Sequence, residues 1–426
     1  MRREWRVVSL GDLFKVKHGF AFKGEYFTDQ PQQTILVTPG NFAIDGGFQD
    51  QKRKFYRGPV PEDYVLKPGQ IVVTMTDLSK QSDTLGHAAS IPRDSNIWLH
   101  NQRVGLLVFN PDFPSVPRFI EYLLRSREYR AWVVGSATGT TVKHTSPGRI
   151  ESYRTQVPAL SEQRAIASIL GALDDKIDLN RRMNETLEAM ARALFKDWFV
   201  DFGPTRAKME GREPYLAPDL WALFPNQLDD EGKPEGWVLD SLGNHTVNFD
   251  SKRVPVSGKE RAKRRGPYPY HGATGIMDYV DDFLFNGVYL LVGEDGSVVK
   301  ENGVAFTQYV WGKIWVNNHA HVLQGKGSVS TEQLWMYFAH EQVAPFITGA
   351  VQLKLSQGRM NSMPFIYGGS SICQEFSDVT SEWFSRLRAN TEESKTIAQT
   401  RDLLLPKLMS GEIRVREAER MVEEVA

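Results

Sequence analysis

Cysteine is nearly absent. Cys373 is the only one in 426 residues, so no internal disulfide can form, as expected of a chain made in a reducing cytoplasm. Long apolar runs are missing as well: nothing approaches the roughly 20 residues of a membrane span. The opening Met1-Arg-Arg-Glu-Trp5-Arg has no apolar stretch behind its charges, so no secretory leader is expected. Neither sign of charge is in excess: 51 Lys and Arg against 52 Asp and Glu give a net −1. Hydrophobic content of 41% and charged content of 24% are those of an ordinary globular protein with room for two or three cores.

Chemistry-bearing motifs are equally scarce. There is no Gly-x-x-x-x-Gly-Lys-Ser/Thr phosphate loop, no His-Glu-x-x-His and no Cys-x-x-Cys. Asn110-Pro-Asp-Phe113 lacks the second proline of the Asn-Pro-Pro-Tyr motif of adenine methyltransferases, and no Gly-rich cofactor loop precedes it; it reads as a turn after a strand. In Asn317-Asn-His319-Ala-His321 the two histidines alternate and can converge on one face of a strand. With no acid pair beside them in sequence, the structural reading outweighs a metal site. Gly293-Glu-Asp-Gly296 reads as a turn after a strand, and Cys373, with no His beside it, as a buried thiol.

What the chain does have is the same cassette twice. Adding 210 to Gly148, Arg149, Ser152, Asn180, Thr186 and Leu194 gives Gly358, Arg359, Ser362, Asn390, Thr396 and Leu404. Apolar positions stay apolar: Ile166, Ile169, Leu173, Ile177, Leu187 and Trp198 become Phe376, Val379, Trp383, Leu387, Ile397 and Leu408. The halves also open alike, with Trp5-Arg-Val-Val-Ser9-Leu-Gly11 against Trp237-Val-Leu-Asp-Ser241-Leu-Gly243. A duplicated unit with pseudo-twofold symmetry suits a twofold-like partner, of which duplex DNA is the commonest.

The pattern predicts an α/β chain: two mixed α/β domains related by the repeat and separated by two long antiparallel coiled-coil helices. The first domain spans 1–158, with strands at Gln70–Met75 and Val104–Phe109, a helix from Phe119 to Val134, and a Gly/Ser/Thr-rich loop from Gly135 to His144. A long helix follows over 159–200, with Ser161 as N-cap and Glu162 in its first turn. Its seam is Ile166, Ile169, Leu173, Ile177, Asn180, Asn184, Leu187, Ala191, Leu194 and Trp198. A proline-rich but ordered connector covers 201–236, where Leu220, Trp221, Leu223 and Phe224 offer apolar surface. The second domain covers 237–368, with strands at Tyr289–Val292 and Lys313–Val316 and a helix from Glu332 to Phe346. The second long helix spans 369–409, with seam residues Phe376, Val379, Trp383, Leu387, Asn390, Ser394, Ile397, Arg401 and Leu404. Pro406 should kink or end it, and 410–426 is a charged tail. Antiparallel packing would place one domain at each end of a shared rod.

Basic residues cluster in both halves: Lys52, Arg53, Lys54 and Arg57 in the first, and seven cations against Glu260 between Lys252 and Arg265 in the second. One such run is usually a solvated loop. Clusters in both halves of a repeat point to phosphate contact. The candidate DNA-binding residues are Lys52, Arg53, Lys54, Lys143, His144 and Arg149, then Arg261, Lys263, Arg264, Arg265, Lys354 and Arg359. Arg149 and Arg359 are repeat-related and suit a structural salt bridge equally well. Ser297, Lys300, Tyr270, His271 and Thr274 are weaker candidates. Catalytic and metal-binding residues are not expected.

Four segments together resemble the specificity subunit of type I restriction–modification systems over essentially the whole chain. They are the cassette Ser161-Glu-Gln-Arg-Ala-Ile-Ala-Ser-Ile-Leu-Gly-Ala-Leu-Asp-Asp-Lys-Ile-Asp-Leu-Asn180, the connector Asp201–Arg212, the Tyr268-Pro-Tyr-His-Gly-Ala-Thr-Gly275 stretch and the ending Leu403–Val415. The second helix departs from the pattern, with Cys373-Gln-Glu-Phe-Ser where Glu-Gln-x-x-Ile-Ala is usual. The resemblance implies a non-catalytic reader of double-stranded DNA with a split target. It implies helices that act as a ruler and dock two modification subunits, restriction subunits that join that core, no membrane, and a cytoplasmic location. It implies no cofactor on this chain, S-adenosylmethionine being bound by the partner methyltransferase. Two other classes stay open: a stand-alone methyltransferase or nuclease with a degenerate site, and a protein-only scaffold.

Overall fold

The computed structural model describes residues 5–423 apart from 45, 51, 78, 80–82, 140–141 and 350–351, so Thr140 and Thr141 of the Gly135–His144 loop lie outside the described residues. The chain divides into two compact units, Met1–Leu179 with Glu393–Ala426, and Asn180–Glu392. The sequence sets the long helices apart as separate segments; in the structure each unit takes half of each helix.

In the first unit, strand Arg6–Ser9 pairs antiparallel with Arg154–Val157. A four-stranded sheet runs Phe14–His18, Val104–Phe109, Ile71–Thr74, Ala88–Ser90, and a smaller one joins Phe27–Thr28, Phe55–Tyr56, Thr34–Val37 and Ile97–His100. The Ile71–Thr74 strand is buried throughout, as its unbroken apolar run dictates. The helix expected from Phe119 to Val134 is two helices, Pro117–Leu123 and Arg127–Gly135. Ser126 separates them, its side chain accepting from the Tyr129 N–H and so starting a new helix. Asn110 does sit in a turn, its Oδ1 accepting from the Asp112 N–H at 3.0 Å.

In the second unit, Val238–Ser241 pairs with Pro364–Tyr367, 210 residues beyond the partner strand of the first unit. A six-stranded sheet runs Thr246–Asn248, Ala320–Gly325, Phe285–Gly293, Thr307–Val316, Arg265–His271, Ile276–Val280. The expected helix Glu332–Phe346 stops early, at Thr331–His340, with a separate turn at Ala344–Phe346. The connector is ordered, with helices Gly203–Met209 and Pro218–Leu223. Phe224 is buried from it and Leu220 packs on the same core, whereas Leu223 points outward.

The first long helix is Leu160–Phe195, 36 residues or about 54 Å, and runs on through a wider turn, Lys196–Val200. It starts one residue before the expected cap Ser161. Gln163 ties down this end, donating to Pro158 O and accepting from the Val116 N–H. The second is Ser370–Ser410, 41 residues, with Pro406 inside it rather than ending it. So close to the C-terminus, the ring forfeits only the bond to the Asp402 carbonyl.

The helices run antiparallel within each unit. In the second unit the repeat-mates meet, Asn180 Nδ2 donating to Asn390 O at 3.3 Å, while Asn390 Nδ2 donates to Asn184 Oδ1 at 2.9 Å and Asn184 Nδ2 to Leu387 O at 3.1 Å. In the first unit Lys176 pairs with Glu393 at 3.2 Å. Of the seam, Ile166, Leu173, Asn180, Phe376, Leu387, Asn390, Ile397 and Leu404 are buried, and Ile169, Ile177, Leu187, Leu194 and Trp383 half-buried. Val379 is a correction: it is 36% exposed. The 3.6-residue period carries it off the contact face, and Thr380 and Phe384, four and eight beyond Phe376, are buried instead.

Candidate nucleic-acid interface

The repeat puts the same two small elements in each unit. Thr138 and His144 close a hairpin through a β-bridge, and Thr348 and Lys354 close another 210 residues on. Gly139 has φ +93° and Gly349 φ +94°; a Cβ there would lie 2.1 Å from Val142 O or 2.0 Å from Gln352 O, so only glycine makes this turn. A one-turn helix follows each hairpin, Pro147–Glu151 and Gln357–Asn361. Ser146 and Ser356 cap them, accepting from the backbone N–H of Arg149 and Arg359. Both arginines are exposed, and neither has a carboxylate partner among the described residues, so the structural salt bridge weighed for them is not there. Arg149 lies 4.5 Å over the Trp132 ring instead.

An acid lies at the base of each hairpin. Asp77, on the strand paired with Lys143–His144, is buried. Burial raises its pKa, but hydrogen bonds from Ser79 and Thr84 outweigh that and hold it below the usual carboxylate value. In the second unit Lys354 Nζ lies 3.3 Å from Glu294 and the Lys354 backbone bridges Asp295. Glu294 also meets Arg253 at 2.7 Å, and Asp250 pairs with Arg253 and His321.

Asp250, Glu294 and His321 bring their ligand atoms within 4.8 Å of one another, the kind of grouping that can take a cation. Here the Arg253 guanidinium already supplies positive charge, and both ring nitrogens of His321 are engaged, Nδ1 by Asp250 and Nε2 by the Leu355 carbonyl at 2.8 Å. Burial raises the pKa of Asp250, but His321, the Val322 N–H and Arg253 bring it below its ordinary value. The donor set suits a closed ion network rather than a metal. His319 and His321 do not converge, because His319 precedes the Ala320–Gly325 strand and turns to Asp295.

The remaining candidates divide by their partners. Lys52, Lys143, Lys263 and Arg265 make no salt bridge among the described residues, although Arg265 is one of the charges that hold the Asp278 pKa down, and they are exposed apart from half-buried Lys143. Lys54 is exposed with its ammonium 4.2 Å over the Phe27 ring, and exposed His144 accepts or donates at Thr76 Oγ1, 3.1 Å away. Arg53 is a bidentate partner of Asp50. Arg261 donates to Val256 O at 2.6 Å and to Asp278, and lies over Tyr270. Arg264 pairs with Asp281 at 3.0 Å and lies over Trp315.

Of the weaker candidates, Ser297 and Thr274 are exposed. Tyr270 is buried and accepts from the Val256 N–H at 2.9 Å, and His271 is buried against Gln308. Burial also lowers the Lys300 pKa beside Arg192. Cys373 is fully buried with a raised pKa, chiefly from burial.

Sequence reasoning missed the ribbon formed by Arg265–His271 and Ile276–Val280 at the sheet edge, where Ile276, Met277 and Tyr279 are more than half exposed. Its signal was the Gly272-Ala-Thr-Gly275 turn between two strand-like runs.

The family model for the type I restriction modification DNA specificity domain matches residues 2–189. The MjaIX type I restriction enzyme specificity subunit of Methanocaldococcus jannaschii is 23% identical over 71% of this chain and 70% of its own length. The HindI specificity subunit of Haemophilus influenzae is 25% identical over 70% of this chain and 78% of its own. In fold, the type I restriction–modification S subunit from M. genitalium is similar with a TM-score of 0.56 and 15% identity, covering 96% of both chains.

Proposed function

Because the chain belongs to the specificity subunits of type I restriction–modification systems, whose part is DNA target recognition rather than catalysis, we propose that each of its two units reads one half of a split duplex target. The subunit works with DNA inside a restriction–modification assembly. The finer reading is that the paired helices fix the unread gap and dock two modification subunits, with restriction subunits joining that core in the cytoplasm. S-adenosylmethionine and the methyl transfer belong to the modification partner.

The observation that carries the two-half reading is the duplication itself. The same strand pair, glycine-turned hairpin, serine-capped helix and long helix occur twice in one chain. No helix among the described residues is long and apolar enough to cross a membrane.

Incubation with labelled S-adenosylmethionine and duplex DNA tests this. The chain alone should transfer no methyl groups, and addition of its modification subunit should restore sequence-specific methylation. Transfer by the isolated chain would overturn the reading in favour of a stand-alone methyltransferase. Absence of salt-dependent binding to duplex would favour a protein-only scaffold.

A further inference from the structure

We propose that matched and unmatched elements divide the work of binding DNA: Arg149 and Arg359, with their hairpins, hold backbone phosphates, while the edge ribbon of the second unit reads bases through Thr274, Ile276 and Met277. This rests on the DNA-reading function above.

An element with the same conformation in both halves can grip only what both half-sites share. The two hairpins share their closing bridge and their positive-φ glycine, and the two arginines share their place in a serine-capped turn. What any two stretches of duplex share is the phosphate backbone, which positions a protein without carrying sequence. An arginine free of carboxylates suits that partner.

The ribbon departs from its counterpart in the first unit, Thr34–Val37 with Phe55–Tyr56: one residue pair joins those strands where five join the ribbon, and Ile35, Leu36, Val37 and Tyr56 are buried. The ribbon is the edge of a six-stranded sheet, and among the described residues the largest sheets of the first unit have four strands. Ile276 and Met277 are 51% and 56% exposed, in the open beside the Thr274 hydroxyl. Apolar side chains and a hydroxyl on a two-stranded ribbon match what the major groove offers: thymine methyls, donors, acceptors, and room for a ribbon.

A chain of contacts joins ribbon and hairpin within the second unit. Asn317 Nδ2 lies 3.4 Å from Met277 Sδ, and Asn317 Oδ1 accepts from the His319 N–H at 2.8 Å. His319 pairs with Asp295, whose backbone bridges Lys354.

The test uses the chain assembled with its modification subunits. Affinity for the methylated target duplex and for a scrambled duplex of equal length is measured across a potassium chloride series. Arg149→Ala and Arg359→Ala should each lower the slope of log affinity against log salt by about 0.9. Both duplexes should weaken alike and the methylated sequence should stay the same, while Arg359→Lys should keep the slope. Replacing Thr274, Ile276 and Met277 with alanine should keep the slope and cut the preference for the target about tenfold.

The division of work fails if an arginine variant changes the methylated sequence or keeps the full slope. It fails equally if the ribbon variant weakens both duplexes alike or neither. In those cases salt-dependent binding by the unaltered complex leaves the DNA-reading function standing. Absence of duplex binding by the unaltered complex overturns both.

Discussion

Replacing Asp174 with alanine should loosen the joint between the first reading domain and the long helices. The Asp174 carboxylate accepts from Tyr122 Oη at 2.8 Å, Arg125 Nη1 at 2.9 Å and Arg401 Nη1 at 2.8 Å, tying helix Pro117–Leu123 to both long helices. Arg125 and Arg401 are only 5% and 10% exposed, so neither can turn to water. Removing one partner of a buried pair costs about 3–5 kcal/mol. The low end applies, because Arg125 keeps Glu121 at 2.7 Å and Arg401 keeps Asp402 at 2.8 Å. In a unit of about 210 residues a loss of about 3 kcal/mol lowers the melting temperature by roughly 6–12 °C.

Burial raises the Asp174 pKa, but the two arginines outweigh it and hold the group below its ordinary value of 3.8. A depressed carboxylate stabilises above its unfolded pKa and loses that contribution as pH falls through the folded one. The gap between the native chain and the variant should therefore be the same at pH 7 and pH 5, closing only below about 4. Calorimetry of the full chain would show it. A change under 1 kcal/mol at pH 7, or a gap that shrinks between pH 7 and 5, would refute the reasoning.

On the second helix, Phe376→Ala should cost about 3–5 kcal/mol in urea unfolding, while Val379→Lys should stay within about 0.5 kcal/mol. Burial lowers the pKa of His87 to about 3 and of His100 to about 4. The unfolded chain takes up those protons first, so the first unit should lose about 1.4 kcal/mol per pH unit for each histidine as pH falls below about 6; a flat profile from pH 6.5 to 5 would contradict this. Lys263→Ala with Arg265→Ala should lower the salt slope of DNA binding by about 2. Arg261→Ala with Arg264→Ala should leave the slope and lower the melting temperature, since those cations serve Asp278 and Asp281. One added heptad in each helix, near Asn184 and Ser394, should lengthen the unread gap by about two to four base pairs, at about 1.5 Å per residue against about 34 Å per DNA turn, as read by methylome sequencing.

The repeat made much of the fold legible. A period can be counted, and residues 210 apart such as Ser146 and Ser356 cap equivalent helices. Buried seam positions followed the same way except at Val379, where a step of three from Phe376 leaves the contact face and Thr380 takes its place. Partner choice was less legible, because it depends on residues brought together by the sheet. The run from Lys252 to Arg265 reads as one basic patch, yet Arg253 turns inward to Glu294, 41 residues on, and Arg261 and Arg264 each meet an aspartate 17 residues later. Asp174 and Arg401 are 227 residues apart, and only antiparallel helices make them neighbours. The edge ribbon was hidden because exposed Ile276 and Met277 look in sequence like core.

The central claim is that one chain carries two independent readers, and exchanging one of them tests it most directly. Residues 1–158 are replaced by the corresponding domain of another specificity subunit, and the methylome of cells carrying the hybrid with its modification subunit is sequenced. The account predicts a methylated target in which one half-sequence changes while the other half and the gap are kept. A hybrid that methylates a target changed in both halves would show a single composite reading surface and contradict it.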